Sequence, residues 1–456
     1  VKTEGGWVRG ETRGGAVQFR GIPYAKPPVG DRRFALPDPE IGWEGVYDAR
    51  FRRPMAPQGA EKSDSPAGTG RLPQDEDCLT LSISTPDPLG RYPVAVWFHG
   101  GANCYGGGDL ECYDGGKLAV GEKIVCVNLN FRLGALGFLQ YPGLNEENLS
   151  IEDQLCALRW IRRNIRAFGG DPERVTLFGQ SAGGNAVVHI LSRKDSEGLF
   201  RQIVLESPSL GRGNHRKKDA FQIGKVFLEE LGIDLSETQE KIRRAVCGKK
   251  VSDILDATAR VWPVLGAEYE NMFFKPVSDS WHTPEQAVRA AAEEAGRRHI
   301  RVLIGFAGDE MRAFVLPRTP EEEEKLLRQQ ERRYEIPGLR FAEEAGRAGC
   351  GVYAYRFVWR APDSVYGACH CIELPFVFGN ADIWKAPMLK GASSRDMERL
   401  TETIQRYWGM FFRFEKLPEE EWPACVPGAE KFKCFDNREN PVAGLEEAGK
   451  DRNSGS

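Results

Sequence analysis

Short apolar, β-branched runs recur along the chain, spaced by longer stretches in which apolar positions return every three or four residues. Val94–Phe98, Ile124–Val127, Val175–Phe178, Ile203–Leu205, Ile300–Phe306 and Val352–Val358 read as strands. Helix-like runs lie between several of them, notably Ile151–Ala167, and another runs from Ala186 to Leu191. That alternation predicts an α/β fold with a large, doubly wound, mostly parallel central sheet flanked by helices. Residues 1–20 alternate as an N-terminal antiparallel hairpin with turn signals at Gly5-Gly6 and Gly14-Gly15. Pro23, Pro27, Pro28 and Gly30 then force an irregular crossing, and 59–75 reads as a polar surface loop. Segment 211–298 is mostly amphipathic helix, with charge clusters such as Lys217-Lys218 and Glu293-Glu294. Thr319-Pro320-Glu321-Glu322-Glu323-Glu324 has the order of a helix start: cap, proline, then acids at the positive end of the dipole. No repeat and no detachable linker interrupts the pattern. The expectation is one domain over 1–456, with helical cap insertions at about 211–298 and 317–345.

Composition narrows the class. The chain has 456 residues and a net charge of −4, a near-neutral balance that argues against nucleic acid as the main partner, since phosphate binding needs a clustered basic surface. No apolar run reaches about 18 residues, so no membrane-spanning helix is expected. Eleven cysteines leave at least one thiol unpaired, and their irregular spacing suggests a reducing, cytoplasmic setting. The chain begins at Val1 without a signal-like stretch, which leaves a removed leader open. Asn453-Ser454-Gly455-Ser456 reads as a flexible tail or an expression remnant. Cys369-His370-Cys371 invites a metal reading. In an extended segment, however, His370 points away from both thiols, so no metal site is expected.

Gly179-Gln180-Ser181-Ala182-Gly183 follows an apolar strand and precedes a helix. In that context a G-x-S-x-G serine sits on a tight turn with its hydroxyl exposed at the top of a sheet. A serine nucleophile needs a base, an orienter for the base and donors for the oxyanion. His99-Gly100-Gly101-Ala102, just past Val94–Phe98, offers backbone donors together with Ala182. Of six histidines, His370 lies beyond a late strand, where the Ser…acid…His chain order places the base. Ile300–Phe306 runs into Ala307-Gly308-Asp309-Glu310, and spacing alone leaves Asp309 and Glu310 both open as the acid.

The chain resembles the type B carboxylesterase/cholinesterase family of α/β-hydrolases, of bacterial para-nitrobenzyl-esterase type. The likeness extends over nearly the whole chain in the family's order. Phe19-Arg20-Gly21-Ile22-Pro23-Tyr24-Ala25, Glu76-Asp77-Cys78-Leu79, His99-Gly100-Gly101-Ala102 and Asn130-Phe131-Arg132-Leu133-Gly134 carry it early. Asp153-Gln154, Phe168-Gly169-Gly170-Asp171-Pro172, Phe274-Lys275-Pro276-Val277 and His370 through Gly379 carry it later. The resemblance implies Ser181 as nucleophile, His370 as base, and Glu310 rather than Asp309 as acid. It also implies Gly101, Ala102 and Ala182 as oxyanion donors, and Ser207 as a support to the acid or histidine. It implies a serine carboxylic-ester hydrolase working through an acyl-enzyme on small to medium, even bulky, esters. No cofactor and no macromolecular partner is implied; a monomer or weak homodimer is expected. The rivals are a catalytically silent binding protein on the same fold, an acyltransferase and a lipase.

Three departures sharpen this reading. Gln180 stands where many relatives carry glutamate, and Glu373 matches a second buried acid; a Gln180–Glu373 hydrogen bond with Glu373 ionised is expected. Ala56 replaces the half-cystine that would pair with Cys78, so Cys78 is expected to be free. The short stretch between Glu310 and His370 predicts a small lid and an open pocket.

Overall fold

A computed structural model describes residues 1–39, 42–59, 67, 72–270, 272–426, 428, 431–437 and 442–444. The 59–75 loop falls largely outside the described residues, and the 453–456 tail entirely so. The strands are β1 (Lys2–Thr3), β2 (Gly6–Arg9), β3 (Glu11–Arg13), β4 (Ala16–Pro23), β5 (Val46–Asp48), β6 (Thr80–Thr85), β7 (Tyr92–Phe98), β8 (Val125–Leu129), β9 (Gly170–Gln180), β10 (Gln202–Glu206), β11 (Arg301–Ala307), β12 (Val352–Phe357), β13 (Lys431–Phe435) and β14 (Val442–Gly444). β1, β2 and β5 make a small separate sheet. The rest form one sheet in the order β14-β13-β12-β11-β10-β9-β7-β8-β6-β4-β3. β13 through β8 in that order run parallel; β14 on one edge and β6, β4 and β3 on the other run antiparallel.

The parallel strands are buried on both faces, which is why they read as unbroken apolar runs. Side chains still alternate. On β9, Leu177 packs into one core with Val96, Ile203 and Ile304, while Phe178 packs into the other with Trp97, Val204 and Trp408. A third apolar cluster lies among the helices of the 211–298 segment, around Phe227, Val246, Ile254 and Phe274. The helices around it are Lys217–Glu230, Gln239–Cys247 and Val251–Glu268, whereas Pro284–Arg297 packs into the first core through Val288 and Ala291.

The expected helix start at Thr319 is present: its hydroxyl accepts from Glu322 N at 3.2 Å, and the helix runs Pro320–Gln330. A single π-helical turn, Glu331–Glu335, joins it to Ile336–Arg347. β6 was not legible as a strand because its Thr-Leu-Ser-Ile-Ser-Thr sequence looks half polar. It is nonetheless wholly buried, with Ser82 Oγ accepting from Gly21 N at 2.9 Å and Ser84 Oγ from Gln18 at 3.3 Å.

The loop that follows β8 is fastened by a buried ion pair. Arg132 donates to both oxygens of Asp153, at 2.8 and 2.6 Å, and to the carbonyls of Arg33 and Ala35. Both side chains are within 1% of full burial. Asp153→Ala strands the guanidinium without a counter-charge and is expected to remove about 3–5 kcal/mol of stability. A urea midpoint equal to that of the parent would show that the pair is not what fastens the loop.

Candidate active site

β9 ends at Gln180 and the helix Ala182–Leu191 begins one residue after Ser181. Between them Ser181 adopts φ 56°, ψ −123°, a conformation that side-chain-bearing residues rarely reach and that costs about 1–3 kcal/mol. Ser181 N donates to Glu206 O at 2.9 Å, and Asn185 N donates to Ser181 O at 3.0 Å. The sheet on one side and the helix on the other thus hold the serine at the carboxyl end of the central strands.

β11 and β12 bring the other groups to the same edge. Glu310 opens a short turn after β11 and has no exposed surface. Its Oε1 accepts from Ala307 N at 2.8 Å, and its Oε2 lies 2.5 Å from His370 Nδ1. Asp309, left open by spacing, does something else: it accepts from Ala368 N at 2.8 Å and from Arg360 at 3.0 Å, tying down the loop that delivers His370. His370 Nε2 accepts from Gln180 Nε2 at 2.9 Å. With Nδ1–H donating to Glu310, these two bonds select one imidazole tautomer. Sequence reasoning missed two rings against the histidine, Tyr334 at 5.1 Å and Phe314 at 5.4 Å between centroids. Tyr334 was hidden because it rides on the π-turn of an otherwise Glu/Arg-rich segment.

The glycine-rich loop after β7 presses against the serine. A Cβ on Gly100 would stand 2.5 Å from Gln180 Oε1 and 3.2 Å from Ser181 Cβ. Gly101 has φ 108° and its missing Cβ would meet Tyr105 O at 2.1 Å. His99 fixes the loop from below, with its ring stacked on Phe131 at 4.5 Å and its Nδ1 2.8 Å from Gly100 O. Burial holds His99 down at about 4, so it stays neutral and donates to that carbonyl. The amides of Gly101, Ala102 and Ala182 donate to no protein atom among the described residues.

Two sequence expectations are corrected. Gln180 reaches the histidine, not Glu373, because His370 Nε2 offers its amide an acceptor directly above the strand end. Glu373 is fully buried and neither of its oxygens meets a partner from another residue. Burial, with the charges of Glu206 and Glu310, pushes its carboxyl well up, against the ionised state expected for it. Ser207 is also buried with its hydroxyl unpartnered, so it makes no hydrogen bond to Glu310 or His370. Of the flanking thiols, Cys369 Sγ lies 3.9 Å from Met388 Sδ, and among the described residues no three His, Cys, Asp or Glu side chains group as metal ligands. Cys78 is a free, buried thiol.

Sequence reasoning also missed Glu206, whose only signal was an acid closing the apolar run Ile203–Leu205. Its Oε1 accepts from Trp408 Nε1 at 2.8 Å, and its other oxygen is buried without a partner. Burial pushes its carboxyl from the ordinary 4.5 up to about 8. The folded state therefore binds a proton that the unfolded chain releases above about 4.5. The stability this contributes is complete below that pH and is lost as pH rises toward 8. Glu206→Gln keeps an acceptor for Trp408 and removes the proton, so its urea midpoint should fall less between pH 5 and 8 than the parent's. The difference in slope is at most about 1.4 kcal/mol per pH unit. Parallel pH curves for the two proteins would refute the shift.

Ser181 and His370 open onto a half-enclosed cleft of about 1720 Å³. Tyr105, Trp262 and Tyr334 line it, and Phe314, Val315 and Leu316 form an exposed apolar lip. No helix of the described residues is long and apolar enough to cross a membrane.

Comparison with known proteins agrees with this architecture. Residues 1–335 match the carboxylesterase family. The chain is 37% identical to a probable N-octanoylanthranilate hydrolase of Rhodococcus erythropolis, over 92% of this chain and 94% of that one. It is 35% identical to the para-nitrobenzyl esterase of Bacillus subtilis, over 93% and 92%. The solved structure of a thermophilic PNB esterase superposes with a TM-score of 0.86 at 32% identity, covering 99% of both chains. With the fold, the serine turn and the family match in agreement, this chain belongs to the carboxylesterase family of serine hydrolases.

Proposed function

We propose that the protein hydrolyses carboxylic esters by two-step acyl transfer through Ser181. The observation that carries this reading is the buried Glu310–His370 hydrogen bond, set beside a serine held at positive φ. In the first step His370 Nε2 takes the Ser181 proton as Oγ attacks the ester carbonyl. The amides of Gly101, Ala102 and Ala182 receive the oxyanion, and their lack of other acceptors supports that role. His370 then protonates the leaving alcohol. Water repeats the sequence on the acyl-enzyme, and the acid is released. Glu310 holds the proton on Nδ1 and stabilises the imidazolium. The roomy cleft supports medium or bulky esters as substrates, as does the name of the para-nitrobenzyl esterase relative; the octanoyl group in the other relative's name, carried there on nitrogen, supports only a medium-length acyl chain.

Gln180 has a specific place in this cycle. Its amide now occupies His370 Nε2, the atom that must receive the serine proton. The amide has to rotate away when Nε2 becomes protonated, since two donors cannot face each other. Gln180 is thus a positioning residue that favours the neutral base.

Ser181→Ala is expected to lower kcat on p-nitrophenyl esters by at least about 10⁴-fold. Full activity in that variant would overturn the assignment. In Gln180→Glu the new carboxylate favours imidazolium, so the acid limb of kcat/KM should move about one pH unit upward. An unmoved limb would show that Gln180 does not bias the protonation of His370.

A further inference from the structure

One wall of the cleft carries more positive charge than the hydrolysis of a neutral ester requires. Arg212 and Arg333 both line the cleft, and Arg333 adjoins Tyr334, whose ring lies against His370. One acid, Glu270, serves this wall. Its Oε1 accepts from Arg332 at 2.8 Å and its Oε2 from Arg333 at 3.1 Å. Arg212 is left with the backbone carbonyl of Glu270 at 2.8 Å and a looser 3.9 Å approach to its carboxylate. Lys275 stands directly behind, donating to Arg212 O at 2.7 Å, and no carboxylate pairs with it among the described residues. Three arginines therefore share one carboxylate.

Several donors on this wall remain unused. Arg212 Nε and Nη2 donate to nothing among the described residues, and Arg333 Nη1 faces only the Met311 sulfur at 3.9 Å. Both guanidinium side chains are only 15% exposed, so they are set into the wall and not waving in solvent. The charge is also felt locally: burial, then Arg333, holds Arg212 below its ordinary value. Met311 lies against Arg333, and Trp262 and Met272 add apolar lining to the cleft. The other acids of the cleft do not offset it. Glu322 accepts from Arg318 N at the start of its own helix, and Glu111 lies in a separate short turn, Glu111–Tyr113.

We infer that Arg212 and Arg333 form a subsite for a carboxylate carried by the ester substrate, beyond an apolar segment that lies against Trp262 and Met311. An anionic substituent would supply the acceptor these donors lack and relieve the repulsion between the two arginines. The preferred substrates are thus esters bearing a second, ionised carboxyl group. This inference rests on the ester-hydrolase reading above.

The test compares kcat/KM within matched pairs. For the acyl side, the pair is the mono-p-nitrophenyl ester of glutaric acid against p-nitrophenyl pentanoate. For the alcohol side, it is meta-carboxyphenyl butanoate against phenyl butanoate. The anionic member of one pair should be favoured by about tenfold or more, the scale of one charged hydrogen bond. The favoured pair identifies which half of the ester reaches the arginines. The preference should shrink as NaCl is raised. Arg212→Gln and Arg333→Gln should lower the ratio, and Glu270→Gln should raise it. Damage that merely loosened the cleft would slow both members of a pair and leave the ratio alone. If no pair shows a preference in the parent enzyme, or the ratio is the same in all variants, the subsite does not exist. Should a variant fail to fold, the parent ratio and its salt dependence still decide. Absence of turnover on all four esters would instead defeat the ester-hydrolase reading.

Discussion

The site is organised around one buried carboxylate. Glu310 has no exposed surface and is held by two donors, the amide of Ala307 and the imidazole of His370. A carboxylate in such a place is tolerable only while both bonds persist. That requirement fixes much of the surrounding chain. β11 must end where Ala307 N points back at Glu310. The loop after β12 must bring His370 within reach, which Asp309 secures through Ala368 N and Arg360. Gln330 closes the arrangement from the cap side by donating to Gly308 O at 3.0 Å.

The parallel sheet supplies the rest of the precision. Register places Glu206 of β10 beside Gln180 of β9, and Gly305 of β11 beside Glu206. The strand ends that carry Ser181, Ser207 and Glu310 are therefore neighbours before any side chain is considered. A sheet buried on both faces cannot slip without exposing one of its two cores, so this register is strongly held. The strained backbone at Ser181 persists because sheet and helix both constrain it.

Much of this was legible in the chain. Six strands were visible as β-branched runs because buried parallel strands carry little else. The serine turn was visible because strand, glycine and helix signals coincide around Gly179-Gln180-Ser181. Spacing alone did not choose between Asp309 and Glu310, since either can follow a strand; the geometry separates them by partner. The Gln180–Glu373 pairing failed because sequence shows that two polar groups are near each other, not which acceptor is better placed. Glu206 and Tyr334 were missed for a similar reason. One ends an apolar run and the other lies in a charged one, and only packing turns Glu206 to Trp408 and Tyr334 to the histidine.

Three buried carboxyls, of which Glu310 bonds the imidazole, raise a question of charge. Ionised, Glu206 and Glu373 would add like charges to the buried neighbourhood of Glu310. Burial prevents this by keeping a proton on the carboxyl of Glu206 up to about 8 and by pushing Glu373 the same way. Gln180 acts in the same direction from the opposite side, since its amide donates to Nε2 and adds no charge. Glu310 is then the one acid in contact with the ring. In the proposed mechanism the negative charge in contact with the histidine is thus that of Glu310, held at Nδ1 opposite the nitrogen that exchanges the serine proton.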